Sequence, residues 1–349
     1  LCVEKTHLED LPTIMAPIID IQGLAKTYVQ DFIGVEHGRL KVRFRDRKRV
    51  ALRPLTLQVE EGEIFGLLGP NGAGKTTTIK ILMGLHFPSA GSATIMGKPL
   101  GDNSVKEKIG FLPENAYFYD YLKGREFLNY YGQLYGMDSR TLKRRIPELL
   151  ELVGLAHAAD LPLRGYSKGM QQRIGLAQSL LNDPKIVFLD EPQSGLDPFG
   201  RKEVRDLILQ LRDQGKTVFF SSHILQDAEV ICDRVAILHL GELIALGPLS
   251  EMLSAKIKEY EVVFAGADEA TVDLARRTAE RFVERANEYL AVFKTEEPAT
   301  KLTQAVIAGK GRMVTYVARK ESLEEYFIRE IQGKRDAAKA AAASQGAGA

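Results

Sequence analysis

Short runs of consecutive apolar residues, separated by turn residues and by stretches of helical spacing, fill the chain from Ile18 to about Gly247. The runs IIDIQ, LTLQVE, EIFGLLG, SATIMG, KIGFLP, KIVFLDE, TVFFSS, RVAILHL and ELIALG predict strands. Apolar positions three and four apart predict helices in GKTTTIKILMGL, REFLNYYGQLYG, TLKRRIPELLELVG, GMQQRIGLAQSLL and RKEVRDLILQLRDQG. KIVFLDE is apolar at consecutive positions, the pattern of a strand buried on both faces of a parallel sheet. The block from Tyr117 to Gly165 holds helices and loops without a strand pattern, which predicts a helical insert in a strand–helix core.

Two segments depart from this rhythm. RLKVRFR alternates basic Arg39, Lys41, Arg43 and Arg45 with Leu40, Val42 and Phe44, the pattern of a half-buried strand with one basic face. From Arg39 to Arg49 there are seven basic residues against the single acid Asp46. The run reads as a solvated strand edge, with contact to anionic headgroups or an acidic partner as the alternative. After about Ser250, KEYEVVFAG, EYLAVFKT and RMVTYVA predict strands, and EATVDLARRTAERFV, EPATKLTQAVIAG and SLEEYFIREIQ predict helices. This is a small α+β appendage, followed by an Ala-rich tail read as disordered or as frayed helix.

Composition narrows the function. Of 349 residues, 45% are hydrophobic and 27% charged, enough for a sizeable core, in two domains or in one large domain with an appendage. A formal net charge of +1 gives no reason to expect nucleic acid as the main ligand. Cys2 and Cys232 are too few and too far apart for a disulfide framework or a zinc cluster, and the apolar setting of Cys232 predicts a buried thiol. The acidic start, broken by Pro12, does not form a secretory signal, and Met15 is read as the natural start. No apolar run reaches the roughly 18–20 residues of a bilayer span, so for work at a membrane something else is expected to hold the chain there.

The chemistry begins at GPNGAGKTT, Gly69 to Thr77, which follows a predicted strand and opens a predicted helix. It fits G-x-x-x-x-G-K-[ST] in the context that confirms a phosphate loop. Gly69, Gly72 and Gly74 let the backbone wrap a phosphate, with Pro70, Asn71 and Ala73 between them, and the helix start adds its positive end. Lys75 is expected at the β- and γ-phosphates and the Thr76 hydroxyl on Mg²⁺, beside Thr77. Downstream, KIVFLDE ends in two acids. Asp190 is placed to hold Mg²⁺ and Glu191 to polarise an attacking water. These elements specify an NTPase of some kind. YSKGMQQR starts 23 residues before Asp190, counting from Ser167, and opens a helix that Ser167 caps and Gly169 keeps accessible. It is a second candidate phosphate-binding helix start.

In this combination the chain resembles the ATP-binding-cassette (ABC) ATPases, the motor subunits of transporters. The resemblance covers about residues 18–247 and rests on five motifs in family order: GPNGAGKTT, YSKGMQ, IVFLDE, SGLD with Asp197, and SSH with His223. It implies an α/β P-loop core, a parallel sheet with helices plus an antiparallel β subdomain, spanning 16–248, with a helical subdomain at about 115–166 and the basic insertion at about 29–50. An N-terminal extension 1–15, the α+β domain 249–333 and a flexible tail 334–349 complete the expected organisation. It also implies that Ser167, Lys168, Gly169 and Met170 close over ATP held by the phosphate loop of a second subunit, with Asp197 alongside. His223 is implied at the γ-phosphate, and Tyr28 as the aromatic stacking on adenine, with Phe44 as competitor. Glu114, in FLPEN, stands where many members carry a glutamine that links nucleotide to membrane partner; a carboxylate there can still ligate Mg²⁺ or water. Lys168 and Met170 depart from the commoner Gly and Gln.

The features LPEN, YSKGMQQR and a tail ending in SLEEYF resemble motor subunits of type-2 ABC exporters of bacteria. The resemblance then implies ATP and Mg²⁺ as ligands, a second copy or a paralogous ATPase as partner, and transmembrane permease subunits that dock near Glu114 and the helical insert. It places the chain peripherally on the cytoplasmic side of the inner membrane. The alternative is a non-transport ABC ATPase acting on ribosomes or DNA; such proteins tend to carry two cassettes or a long coiled coil, and this chain shows one cassette and no heptad insertion. A regulatory module without turnover is the third reading, opposed by the intact Lys75, Asp190, Glu191 and His223.

Overall fold

The computed structural model describes residues 16–36, 39–253 and 257–346, with side chains given outside 30–47, 335 and 337–346. The expectations for the N-terminal extension and for the Phe44 side chain lie outside these residues. The chain folds as two units divided after Pro248.

The first unit opens with a hairpin of β1 (Ile19–Glu36) and β2 (Arg39–Val59), so the basic insertion is a continuation of two paired strands. Beyond Ala25, where β1 stops pairing with β4, the β1–β2 ladder continues to Glu36 opposite Arg39. Next come β3 (Ile64–Leu68), α1 (Lys75–Leu82), β4 (Ala90–Ile95), β5 (Lys98–Pro99), the short α2 (Asn103–Lys106) and β6 (Ile109–Leu112). The helical insert holds α3 (Gly124–Leu134) and α4 (Ser139–Leu152), followed by two 3₁₀ turns and α5 (Lys168–Ser179). β7 (Ile186–Asp190), α6 (Pro198–Asp213), β8 (Thr217–Ser222), α7 (Leu225–Ile231), β9 (Arg234–His239) and β10 (Glu242–Pro248) complete it. The α7 helix has no counterpart in the pattern reading, because its seven residues are too short to establish a period.

These strands form two sheets. β2-β1-β4-β5 is antiparallel. β10-β9-β3-β8-β7-β6 is parallel from β9 to β6, with β10 as an antiparallel edge. Every residue of β3, β7 and β8 is buried, as their unbroken apolar runs require of strands covered on both faces. One core joins the sheets: Ile19, Ile21, Leu24 and Leu57 pack with Phe65, Phe188 and Phe219. The order β3-β8-β7 sets three adjacent strand ends side by side, and each carries one of the sequence motifs at its carboxyl end.

Cys232 is a buried free thiol, and burial pushes it well above the usual thiol range, with the acids Asp233 and Glu63 adding to the effect. The thiolate is the reactive form, so this cysteine should be inert in the folded protein. In a Cys2→Ser background, a colorimetric thiol reagent should react negligibly before denaturant is added and with one equivalent after. Prompt native labelling would contradict the packing described.

The second unit holds α8 (Leu249–Met252), β11 (Ile257–Ala265), α9 (Glu269–Thr278), β12 (Arg281–Arg285), β13 (Glu288–Phe293), α10 (Glu296–Ala308), β14 (Arg312–Lys320) and α11 (Leu323–Gly346). Its sheet is antiparallel, in the order β12-β13-β11-β14, and β11 to β14 with α9 and α10 form a β-α-β-β-α-β plait. One expectation is corrected. EATVDLARRTAERFV is not one helix: α9 ends at Thr278 and Arg281–Arg285 is a strand. The two residues between Arg285 and Glu288 close a hairpin, and Phe282 stacks on Tyr289, so cross-strand pairing overrides the helical spacing. The Ala-rich stretch continues α11 as helix to Gly346, in keeping with alanine's helix propensity.

Candidate functional site

The loop between β3 and α1 is shaped by its glycines. Gly69 has φ +147°, and a Cβ on it would lie 2.1 Å from the Leu238 carbonyl oxygen. Gly74, at φ +106°, would bring a Cβ to 2.7 Å from the Ala51 oxygen. Only glycine lets the backbone run this close to both sheets, and the loop delivers Lys75 as the first residue of α1. The Lys75 ammonium donates to the oxygens of Gly69 at 2.6 Å and Pro70 at 3.2 Å. It is also 3.0 Å from Glu191 Oε1, with both side chains only 5% exposed. This ion pair lacks hydrogen-bond alignment at Oε1, so a phosphate entering the loop competes with a poorly satisfied partner.

The end of β7 supplies two carboxylates with different surroundings. Asp190 accepts from Thr76 Oγ1 at 3.1 Å and from Ser221 Oγ at 2.7 Å. Burial pushes its pKa up; the two hydroxyl bonds pull it down, and the charges of Glu114 and Glu191 push it further up. A divalent cation beside it favours the ionised form. Thr76 and Asp190 thus already share one locus across 114 residues of sequence. Among the described residues no group of three or more His, Cys, Asp or Glu could hold a metal unaided. One hydroxyl and one carboxylate suit Mg²⁺, which takes few protein ligands and completes its shell with phosphate oxygens and water.

Glu191 follows with a left-handed backbone, φ +52°. Such a conformation costs a non-glycine residue energy and persists where the surroundings enforce it. Its N–H donates to Ser221 Oγ at 2.9 Å, and its Oε2 lies 2.7 Å from His223 Nδ1. His223, 41% exposed, sits just after β8. Ser221 therefore holds both acids, one through its hydroxyl proton and one through its oxygen lone pair. Sequence reasoning passed over it, although SSH placed it two residues before His223.

A cleft of about 410 Å³ opens above these groups. It is lined by Asn71 to Thr77 of the loop and helix, by Glu114 and Glu191, and by Tyr28, Arg49 and Ala51 of the β1–β2 hairpin. Tyr28 and Arg49 are cross-strand partners, so one rung of the hairpin presents both to the cleft. Among the described residues, Tyr28 is the aromatic that lines it. Its hydroxyl is 2.7 Å from His86 Nδ1, a contact across 58 residues that no local spacing signals. Arg49 was visible in sequence only as part of a basic run.

Ser167, Lys168, Gly169, Met170 and Asp197 stand apart from this lining. Ser167 caps α5, accepting from the Met170 N–H at 3.3 Å, and is exposed together with Lys168. A Cβ at Gly169 would meet nothing nearer than Leu196 Cδ2 at 3.9 Å, so the entrance to α5 is unobstructed. Tyr166 anchors this cap from beneath: it is buried, and its hydroxyl donates to the Ala158 oxygen at 2.7 Å. Asp197 caps α6 by accepting from the Gly200 N–H at 2.8 Å, and the neighbouring Phe199 is 82% exposed.

The chain is similar to known proteins along most of its length. A family model described as ABC transporter matches residues 52–194. An ABC transporter ATP-binding protein of Synechocystis sp. is 44% identical over 335 residues, covering 93% of this chain and 87% of the relative. The Nod factor export ATP-binding protein I of Rhizobium sp. is 33% identical over 303 residues, covering 85% and 96%. Among solved structures, a dimeric ATP-binding cassette in a post-hydrolysis state, bound to ADP and Pi, superposes with TM-score 0.56 at 26% identity, over 66% of this chain and 98% of that one. Among the described residues no helix is long and apolar enough to cross a membrane.

Proposed function

We propose a shared-site mechanism for this chain, which belongs to the ABC transporter family of ATP-binding proteins and is an ATPase. In it, ATP lies in the cleft with its phosphates wrapped by Gly69–Thr77 and its base against Tyr28. Lys75 exchanges its contact with Glu191 for the β- and γ-phosphates. Thr76 and Asp190 would hold Mg²⁺, with Glu114 at the cleft edge as a further oxygen donor, and the ion would supply charge neutralisation to the phosphoryl group. Released from Lys75, the Glu191 carboxylate accepts the proton of the attacking water, and His223 orients it from the other side.

The single observation that supports the shared site is the separation of the α5 cap from the cleft of its own chain. Ser167, Lys168, Gly169 and Met170 form an unobstructed helix start, with Ser167 and Lys168 exposed, that does not line the cleft of its own chain. We place them, with Asp197, on the γ-phosphate side of ATP in a second copy or a paralogous ATPase. The dimeric solved relative supports this arrangement. The dimer drives a separate permease on the cytoplasmic side of the inner membrane, docked near Glu114 and the helical insert. Relatives named for Nod factor export support the type-2 exporter class. The ribosome or DNA reading has no feature in its favour.

Purified protein should release phosphate from Mg-ATP, and its specific activity should rise with protein concentration, because two subunits build each site. Specific activity independent of concentration across the range where the protein is monomeric would contradict the shared site.

A further inference from the structure

We propose that His86 is a positioning residue for nucleotide binding, locking the Tyr28 ring in place so that the base platform is tied to the phosphate-binding helix. The inference rests on the reading of Tyr28 as the residue against which the base packs.

His86 lies just past the end of α1, the helix whose other end is Lys75 at the phosphate loop. Its own N–H donates to the Lys80 oxygen at 3.1 Å, across the turn at Gly84 that follows α1, so its backbone is bonded to the last turn of that helix. Its ring meets Tyr28 edge-on, with centroids 5.8 Å apart, and Nδ1 is 2.7 Å from the phenolic oxygen. Burial, with Lys80 and Lys26 nearby, holds the imidazole below its usual pKa, so the ring that meets the tyrosine hydroxyl at Nδ1 is neutral.

The segment after His86 is fastened to β1 by further bonds. Lys26 Nζ donates to the Phe87 oxygen at 2.7 Å and sits 5.1 Å from the Tyr28 ring centroid. The Thr27 N–H donates to Ser89 Oγ at 3.0 Å, and the Ser89 N–H to the Ala25 oxygen at 2.8 Å. Tyr28 lines the cleft and neither Lys26 nor His86 does, so both hold the ring from behind. The α1 helix and the turn bonded to its last turn therefore tie the base platform to the phosphate loop. Without the His86 bond the tyrosine must be ordered each time nucleotide binds, which costs affinity without touching the reacting atoms.

Steady-state phosphate release is the test. His86→Ala should raise KM for ATP about threefold to tenfold with kcat within about twofold, and His86→Asn, which offers an acceptor near the Nδ1 position, should restore KM. Tyr28→Phe should match His86→Ala, and the double variant should be no worse than either single one. Inhibition by inorganic tripolyphosphate, which lacks a base, should be unchanged in all of them. Weakening of tripolyphosphate and ATP alike, or unchanged KM in His86→Ala while Tyr28→Ala raises it, would overturn the role of His86 and leave Tyr28 in place. Unchanged KM in Tyr28→Ala would instead remove the reading of Tyr28, and this inference with it.

Discussion

Glu191→Gln should lower the rate of phosphate release by about 10²- to 10⁴-fold while ATP still binds. The amide keeps the size and shape of the side chain, so the left-handed turn at this residue and its N–H bond to Ser221 can persist. Two things are lost. The carboxylate can no longer accept a proton from water, and the ion pair to Lys75 at 3.0 Å disappears. The second loss frees Lys75 for phosphate, so affinity for ATP should hold or rise as turnover falls. With hydrolysis stalled, ATP-dependent dimers should accumulate and be visible by size-exclusion chromatography. Rapid-quench measurement of a single turnover separates the chemical step from product release, and near-normal turnover would remove Glu191 from the mechanism.

Lys75→Ala should act on the opposite step. Removing one partner of a buried, charged contact costs about 2–5 kcal/mol, so affinity for ATP should fall on the order of 10²-fold or more. The same change leaves Glu191 in a nearly closed site without its cation, and an uncompensated buried charge destabilises the fold. Lys75→Ala should therefore melt earlier than the parent, and Lys75→Ala combined with Glu191→Gln should recover thermal stability without recovering nucleotide binding. Calorimetry for binding and circular dichroism for melting read these two effects separately. Recovery of both in the double variant would mean that Lys75 serves the fold and not the phosphate.

The core and the phosphate site were legible because their signals are local and redundant. The unbroken apolar runs of β3, β7 and β8 admit burial on both faces, and GPNGAGKTT needs its glycines for reasons visible in any strand–loop–helix turn. What escaped was set by long-range contact. Arg281–Arg285 carries helical spacing by itself and becomes a strand because β13 is there to pair with it. Ser221, Arg49 and His86 look unremarkable in sequence; they gain meaning from Asp190 and Glu191, from the Tyr28 rung, and from a bond across 58 residues. The resemblance placed Ser167 and Asp197 on ATP, and the fold gives both a local task as helix caps, so their service to a second subunit rests on the exposure and openness of the α5 cap.

The central claim is that the α5 cap of one chain completes the site of another, and mixed dimers test it most directly. Ser167→Arg blocks the cap, and Lys75→Ala empties the loop of its cation, so homodimers of either should be inactive. In a dimer with one chain of each, one site combines both lesions and the other combines neither. Equal mixing should then restore phosphate release to about one quarter of the parent value, the statistical share of intact sites in a two-fold dimer. Mixtures as inactive as the separate variants, with mixed dimers verified by differential tags, would contradict the shared site.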